Sequence, residues 1–523
     1  MKCYEGTILS VDREDRAYRY LVEDAGRIVY TGDTLPDRYA SAERIVLGQR
    51  ALIPAFADTH QHFASYSTFR AGLNVMEAES NAQISEMVRD FAARSRQKTL
   101  IAFGASPYSV REGRLISREE LDAVCPDREI MVVKYDGHAC IVNSRLLARL
   151  DRKVRDLRGY HPDTGEMNQE AFFRFSDYIT GSLSLPDLFR NMQSAADGMA
   201  EKGIGMVHSV SGVGFAFNLD ITFEKIFARS LTNGFQLRVF PQPMKVSVAL
   251  RRRLPRIGGC FESALDGCFG SHDAALNAAY SDAEGGNGVL YYSDEKVIQF
   301  CKAANRAGLQ IEMHAIGDRA FDQAARALKA ALDDYPRNDH RHGIIHDCLP
   351  TEEGMDICRD YHILMPVQSA FIGWKQEPDA YLESILGTER VNRLNPLRTF
   401  LDRGITVSFG SDAPCTDPDP MVWMDRAVNN PNRAQALSPL EALRMCTWNG
   451  YYTSFDEKER GSLETGKIAD MVILSDDPCK AAPEKIGKIR VEQLLLAGRP
   501  YESCRRPVGA SVLRGMADRK NRY

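Results

Sequence analysis

A pair of histidines at the end of an apolar run constrains this chain more than any other feature. The apolar residues lie at 51–56, and His60 and His62 follow, separated by one residue. Alternate side chains of an extended strand project from the same face, so the two imidazoles can reach one metal ion. The alternative is a strand that merely ends in two polar histidines at its solvent edge, and the pair alone leaves both interpretations open.

Other strand-like segments end in the same type of residue. The apolar segments 309–314, 343–346 and 405–410 each end in, or just before, a histidine or an aspartate. Patterns typical of helices alternate with these segments; residues 293–302, with a polar start and a glycine stop at Gly308, precede the segment 309–314. In a parallel barrel the carboxyl ends of the strands meet at one mouth. The residues we expect to lie together there are His60, His62, His314, His346 and Asp412.

This set of donors predicts a metal site. Several imidazoles with one carboxylate suit Zn²⁺ and leave a position open for water. Such an ion lowers the pKa of bound water toward ~7, which makes hydroxide available at neutral pH. We therefore expect a divalent metal, zinc in first place, as one or two ions, and hydrolysis as its use. A metal-dependent isomerase or lyase is one alternative, and a binding protein that has lost catalysis is another.

The order of strands and helices predicts the fold class. Strands alternate with helices through the middle of the chain, which favours an α/β fold with a parallel sheet or barrel. Both ends are instead rich in short strands, for example at 20–24 and 469–474. We expect these ends to form one small β domain, although the sequence alone does not establish that they meet. Residues from about 70 to 200 exceed a minimal barrel and are predicted to be a large insertion after the first strand.

Composition narrows the choice of partners. The net charge of −5 and the pI near 6.2 give no electrostatic reason to expect nucleic acid or an anionic membrane. The twelve cysteines contain no Cys-x-x-Cys motif and are read as reduced, mostly buried thiols. Residues 1–6 have no apolar signal core, and no apolar run approaches the ~18 residues of a membrane span. We expect a cytoplasmic protein with a small-molecule substrate, and a homo-oligomer remains open.

Six motifs follow one another along nearly the whole chain. They lie at 54–62, 136–144, 314–320, 341–346, 410–414 and 461–470. With these motifs the sequence resembles the amidohydrolase superfamily, and within it the branch of metal-dependent hydrolases that includes N-substituted formamide deformylase. The resemblance implies a hydrolase that uses metal-activated water to cleave a carbon–nitrogen bond, other than a peptide bond, in a small amide or cyclic amide.

The resemblance also implies an architecture and a role for each candidate. It implies a (β/α)₈ TIM barrel with a small β-sandwich built from both termini. Residues 1–56 and 456–510 would form the sandwich, 57–455 the barrel with its insertion, and 511–523 a C-terminal tail. The implied ligands are His60 and His62 from the first barrel strand, His314 and His346 from the fifth and sixth, and Asp412 from the eighth. In the superfamily that aspartate also accepts the proton of the attacking water.

The chain departs from the family pattern at two positions. Relatives with two metals carry a bridging carboxylated lysine in a Lys-x-x-x-Asp-Gly pattern, and here Glu262 stands at that position before Asp266 and Gly267. A glutamate can bridge two metals with its two oxygens, and a mononuclear site with Glu262 nearby is the alternative. Ile345 stands where many relatives have a glutamate before the histidine.

His138 is the remaining candidate. It lies in a Gly-His-Ala turn after the apolar strand at 130–133. From there its imidazole can donate a hydrogen bond to a substrate carbonyl or to the oxyanion that develops from it. A loop histidine that only satisfies backbone groups is the alternative.

Overall fold

Eight short strands follow one another around a ring in the middle of the molecule. The computed structural model describes residues 1–282, 286–504 and 506–518. Five pairs of neighbouring strands form parallel ladders. The third strand contacts the fourth, the sixth the seventh, and the eighth the first, so the ring closes. The strands are β1 (Phe56–Gln61), β2 (Ile204–Ser211), β3 (Gln236–Pro241), β4 (Arg256–Gly259), β5 (Gln310–Ala315), β6 (Gly343–His346), β7 (Met365–Val367) and β8 (Val407–Phe409).

Helices connect these strands and cover the ring. The helix Asp294–Arg306 illustrates why they form: the Ser293 side chain accepts a hydrogen bond from the Lys296 backbone N–H, and Gly308 follows the helix end with φ +77°. Its buried face includes Val297 and Phe300. The predicted helix in this segment and the mixed α/β class are thereby confirmed. The other helices of this part are Phe63–Arg70, Leu185–Glu201, Leu219–Ser230, Val246–Arg252, Asp318–Asp334, Glu352–Asp360, Asp379–Leu386, Thr388–Val391, Leu397–Asp402, Pro420–Val428, Pro439–Cys446 and Trp448–Thr453.

The largest hydrophobic core lies between the ring and its helices. Ile311 and Met313 of β5 and Ile344 of β6 are fully buried against Phe321 and Leu328 of the helix Asp318–Asp334. Each such side chain stabilises the fold by about 1.5–3 kcal/mol through burial. Among the described residues, no helix combines the length and apolar character that crossing a membrane would require.

The two ends of the chain meet in one seven-stranded sheet. Strand Glu43–Pro54 pairs antiparallel with Met471–Leu474, with Ile53 opposite Val472. Because Glu43–Pro54 leads through Ala55 into β1, this sheet fixes the entry of the chain into the ring. The strand order is Arg499–Pro500, Val491–Leu496, Met471–Leu474, Glu43–Pro54, Lys2–Leu9, Ala17–Asp24 and Arg27–Gly32.

The C-terminal tail predicted from residue 511 begins inside the helix Val508–Ala517. Helix Val508–Ala517 packs against Leu219–Ser230. Residues 519–523, the end of the predicted tail, lie outside the described residues.

The segment between β1 and β2 contains a separately packed α/β unit. Met131 and Val133 enter one hydrophobic cluster, whereas Ile130 and Val132 enter another, as expected for a strand that packs on both faces. Its sheet has the strand order Tyr160–His161, Glu166–Asn168, Ala139–Val142, Glu129–Lys134, Thr99–Ala105 and Leu73–Asn74. Its helices are Asn81–Arg94, Arg118–Val124, Ser144–Val154 and Gln169–Ser182. We call residues 73–182 the insertion.

Candidate metal centre

Side chains from the carboxyl ends of four ring strands converge on one buried centre. Asp412 Oδ1, just after β8, lies 3.2 Å from Nε2 of both His60 and His62. The His346 ring centroid lies 5.2 Å from that of His60 and 4.4 Å from that of His314. All five side chains are buried. The structure therefore brings together the five residues that the strand-end pattern singles out.

Cys260 occupies the middle of this cluster, although its sequence context predicts only a reduced, buried thiol. Its Sγ lies 3.4 Å from His60 Nε2, 3.3 Å from His314 Nδ1 and 3.4 Å from His346 Nε2. Cys260 directly follows β4, so the rule that selects the other strand-end residues would also have selected it.

Glu262 is placed differently from the expectation. After Cys260 the chain enters the short 3₁₀ helix Phe261–Ser263 with a φ of +45° at Phe261. Glu262 is exposed on this turn, and it is not among the ligand-type groups that gather within the described part of the chain. The structure thus corrects the expected bridging position: it holds the Cys260 thiol rather than the Glu262 carboxylate.

Hydrogen bonds hold the end of β1 against the end of β8. Asp58 accepts hydrogen bonds from the Ser411 backbone N–H at 2.9 Å and from the Ser411 hydroxyl at 2.6 Å. The Asp412 backbone N–H donates to the His60 carbonyl at 2.7 Å. A Cβ on Gly410 would lie 2.6 Å from the His60 nitrogen, so this approach requires glycine. These contacts place the Asp412 carboxylate beside the histidines of β1.

Two of the imidazoles are oriented by bonds to their outer nitrogens. His314 Nε2 donates to the Gly267 carbonyl at 3.1 Å. His346 Nδ1 donates to Gln368 Oε1 at 2.6 Å. The remaining ring nitrogen of each residue, His314 Nδ1 and His346 Nε2, faces the Cys260 sulfur. Histidines that bind metals are held in this way, with the second ring nitrogen donating to a carbonyl or carboxylate.

The donor set fits a divalent metal. Asp412 Oδ1 is buried and accepts no hydrogen bond from the described residues, although two imidazole nitrogens lie 3.2 Å away. Donors bound to one tetrahedral zinc ion at about 2.0–2.3 Å lie roughly 3.3–3.6 Å from one another. The contacts within the cluster, at 3.2–3.4 Å, are close to that spacing.

The electrostatics of the cluster favour anionic ligands. Burial by itself raises the pKa of Cys260, but the imidazoles of His60, His314 and His346 hold that pKa well below its usual value. Burial likewise opposes ionisation of Asp412, and His60 and His62 hold its pKa well below the ordinary range. The site therefore presents a thiolate and a carboxylate among imidazoles, a set suited to zinc and similar ions.

The centre opens into a pocket with an aromatic wall. The Phe261 ring centroid lies 4.9 Å from that of His62 and 5.7 Å from that of Phe173 in the insertion. The half-buried His138 also lines the pocket, with its ring 5.3 Å from Phe261. The His138 backbone N–H donates to Asp136 Oδ1 at 3.0 Å, which fixes the turn that carries the imidazole.

A second aromatic group also lines the pocket. The Phe371 ring stacks on Trp374 at 4.8 Å and lies 6.1 Å from His346. Beside them, Glu377 accepts a hydrogen bond from the Tyr135 hydroxyl at 2.8 Å, and burial raises the pKa of Glu377 to about 7. Each aromatic group thus lies beside a histidine of the cluster.

Three comparisons place the chain among known proteins. The sequence model described as the amidohydrolase family matches residues 45–501. The chain is 24% identical to the putative amidohydrolase YtcJ of Bacillus subtilis, over 94% of this chain and 96% of that protein. It is also 24% identical to the N-substituted formamide deformylase of Arthrobacter pascens, with the same coverage. The crystal structure of an uncharacterized metal-dependent hydrolase from Pyrococcus furiosus matches 92% of this chain and 100% of that one, with a TM-score of 0.73 and 24% identity, and so shares the fold.

Proposed function

The chain belongs to the amidohydrolase family, as an enzyme that acts on carbon–nitrogen bonds other than peptide bonds, and from that premise we propose that its substrate is a small amide or cyclic amide. The eight-strand ring would then be a (β/α)₈ barrel, and the seven-stranded sheet would correspond to the β-sandwich of the family. The observation that carries the proposal is the buried cluster of imidazole, thiol and carboxylate groups at the inner end of the pocket.

Each residue of the cluster has a role in this proposal. The residues that would hold one or two ions, with zinc as the preferred ion, are His60, His62, Cys260, His314, His346 and Asp412. When bound, such an ion activates water and polarises a carbonyl. Asp412 Oδ1 faces the histidines, so we assign proton transfer to Oδ2. That oxygen takes the proton of the attacking water and returns it to the leaving nitrogen.

His138 is assigned to the substrate carbonyl. Its imidazole lines the pocket on the side of Phe261 and His62. A hydrogen bond from this ring to the carbonyl oxygen would strengthen as negative charge develops there, which lowers the barrier of the hydrolytic step.

The aromatic wall supports an apolar substituent on the amide. Two pairs of aromatic residues line the pocket, Phe173 with Phe261 and Phe371 with Trp374. Aromatic side chains contribute large apolar contact areas and favour flat rings in stacked or edge-to-face positions. We therefore propose an amide with a flat or bulky apolar group, in line with the N-substituted formamide in the name of the Arthrobacter relative.

A panel of amides, assayed with and without a chelator in ¹⁸O-labelled water, tests the proposal. The full chain loaded with zinc is expected to hydrolyse N-arylalkyl amides or cyclic amides and to place one labelled oxygen in the acyl product. Removal of the metal should abolish turnover, and its return should restore it. Turnover without uptake of labelled oxygen would indicate an isomerase or lyase. Ligand binding without turnover across the panel would indicate a binding protein.

A further inference from the structure

We infer that the Cys260 thiolate is a ligand shared by two neighbouring divalent cations, so that the centre is bridged by sulfur. The inference rests on the proposed metal-dependent function. Among the described residues, two groups of ligand-type atoms share Cys260 and nothing else. One group adds His60 and His62 of the β1 side, and the other adds His314 and His346 of β5 and β6.

The hydrogen bond of His314 supports a cation between nitrogen and sulfur. The Gly267 carbonyl only accepts hydrogen bonds, so His314 Nε2 carries the proton in the contact of 3.1 Å. In the neutral imidazole the lone pair of Nδ1 then points to the Cys260 sulfur, 3.3 Å away. His346 repeats the arrangement, with Nδ1 bonded to Gln368 and Nε2 3.4 Å from the same sulfur.

With the imidazoles neutral, neither a single thiol proton nor a bare thiolate satisfies these contacts. Cys260 Sγ faces three imidazole nitrogens at 3.3–3.4 Å, and an S–H group donates to only one acceptor. Cations seated between the sulfur and the nitrogens satisfy every lone pair at once. The four imidazoles, Cys260 and Asp412 together offer six donors, more than the four that one tetrahedral zinc ion takes, which calls for two cations rather than one.

The backbone of β4 explains why the sulfur reaches the middle of the ring. Gly258 and Gly259 have φ values of +111° and +127°, which favour glycine. A Cβ on Gly258 would lie 1.8 Å from the Glu312 carbonyl of β5. Gly258 therefore lets β4 lie against β5, and Cys260 follows β4 directly at the mouth of the ring.

A bridging thiolate changes which metals the site accepts. Thiolate ligands select zinc and other thiophilic ions, whereas carboxylate and carbonyl oxygens suit magnesium, calcium and manganese. This centre should accordingly discriminate against magnesium and manganese more strongly than a centre with an oxygen bridge.

Cobalt substitution tests the bridge without relying on activity. Metal-free protein titrated with Co²⁺ is expected to develop a thiolate-to-cobalt charge-transfer band in the near ultraviolet that saturates at two ions per chain. X-ray absorption of the zinc-loaded protein is expected to show sulfur at about 2.3 Å. C260A should lose both the charge-transfer band and the sulfur signal. C260D should still bind two ions, but without sulfur among their ligands. The comparison of the two variants separates loss of the sulfur ligand from loss of the fold.

Two matched variants complete the experiment. C301A removes a buried thiol from the helix Asp294–Arg306, and E262Q neutralises the exposed carboxylate next to the site. Both are expected to bind two ions and to keep the charge-transfer band. A band that persists in C260A, its absence from fully loaded wild type, or saturation at one ion per chain would overturn the bridge. A sulfur signal in a protein that hydrolyses no amide would support the bridge and count against the proposed function alone.

Discussion

The metal cluster and the aromatic wall line one pocket, but they are held by different forces. In the cluster, directional hydrogen bonds fix the side chains, as between His314 and Gly267 and between His346 and Gln368. In the wall, Phe173 and Phe261 meet through ring contacts and remain half-buried. Directional bonds fix an atom to a fraction of an ångström, whereas apolar contacts tolerate adjustment. Changes in the cluster should therefore lower kcat, and changes in the wall should mainly alter KM and the range of substrates.

The largest effect is expected from D412N. The amide cannot take the proton of the attacking water, so kcat should fall by about 10²–10⁴-fold. The shape of the side chain is kept, and the backbone bond of residue 412 to the His60 carbonyl does not depend on the carboxylate. Turnover by stopped assays and metal content by elemental analysis are the measurements. Full turnover in a metal-loaded D412N protein would remove Asp412 from the proton-transfer role.

H138A tests the hydrogen bond that we assign from His138 to the substrate carbonyl. Loss of one hydrogen-bond donor to the developing oxyanion is expected to lower kcat by about 10²-fold. H138Q keeps a donor and should recover part of the rate. H161A, an exposed histidine of the same insertion, is the matched control. Equal rates for H138A and wild type would favour a role of His138 in the turn alone.

F173A tests the contact that we propose between the aromatic wall and the apolar substituent of the substrate. Loss of the ring contact with Phe261 is expected to raise KM about 10-fold, equivalent to ~1.4 kcal/mol, with little change in kcat. The effect should shrink for substrates without an apolar substituent. F91A, which removes a half-buried ring of the insertion outside the pocket, is the control. A fall in kcat at constant KM would contradict the division between cluster and wall.

The difference between the metal cluster and the aromatic wall also explains which parts of the site the sequence predicts and which it does not. His60, His314 and Asp412 are predictable because each ends a short apolar segment, and parallel strands bring such ends together. Cys260 meets the same condition, but the count back from Asp266 in the Lys-x-x-x-Asp-Gly pattern points to Glu262. The 3₁₀ turn after Cys260 breaks the relation between that count and position in space.

The contact between Phe173 and Phe261 in the wall is not predictable from the sequence, for a different reason. The contacts of the wall join residues far apart in the chain, such as Phe173 with Phe261 and Tyr135 with Glu377. Aromatic residues at these positions are equally typical of a core. No local periodicity distinguishes the two cases, so only the folded arrangement of insertion and ring identifies the wall.

The last expected effect concerns the support beneath the cluster and appears as a pH dependence of stability rather than as a change in turnover. Glu224 accepts hydrogen bonds from the Ala64 backbone N–H at 3.0 Å and from the Ser211 hydroxyl at 2.5 Å. Burial raises its pKa from 4.5 to about 8, and the nearby Asp220, with its own pKa raised to about 7, adds to the effect. Between pH 4.5 and 8 the folded protein keeps a proton on Glu224 that the unfolded chain has lost. The free energy of unfolding should therefore fall as the pH rises through this window, by at most ~1.4 kcal/mol per unit from this group.

E224Q removes that contribution, so urea unfolding of the metal-free proteins from pH 5 to 8 should show a shallower decline for the variant. Parallel curves would mean that Glu224 is already ionised in the folded protein, and that the support under the cluster carries a charge rather than a proton.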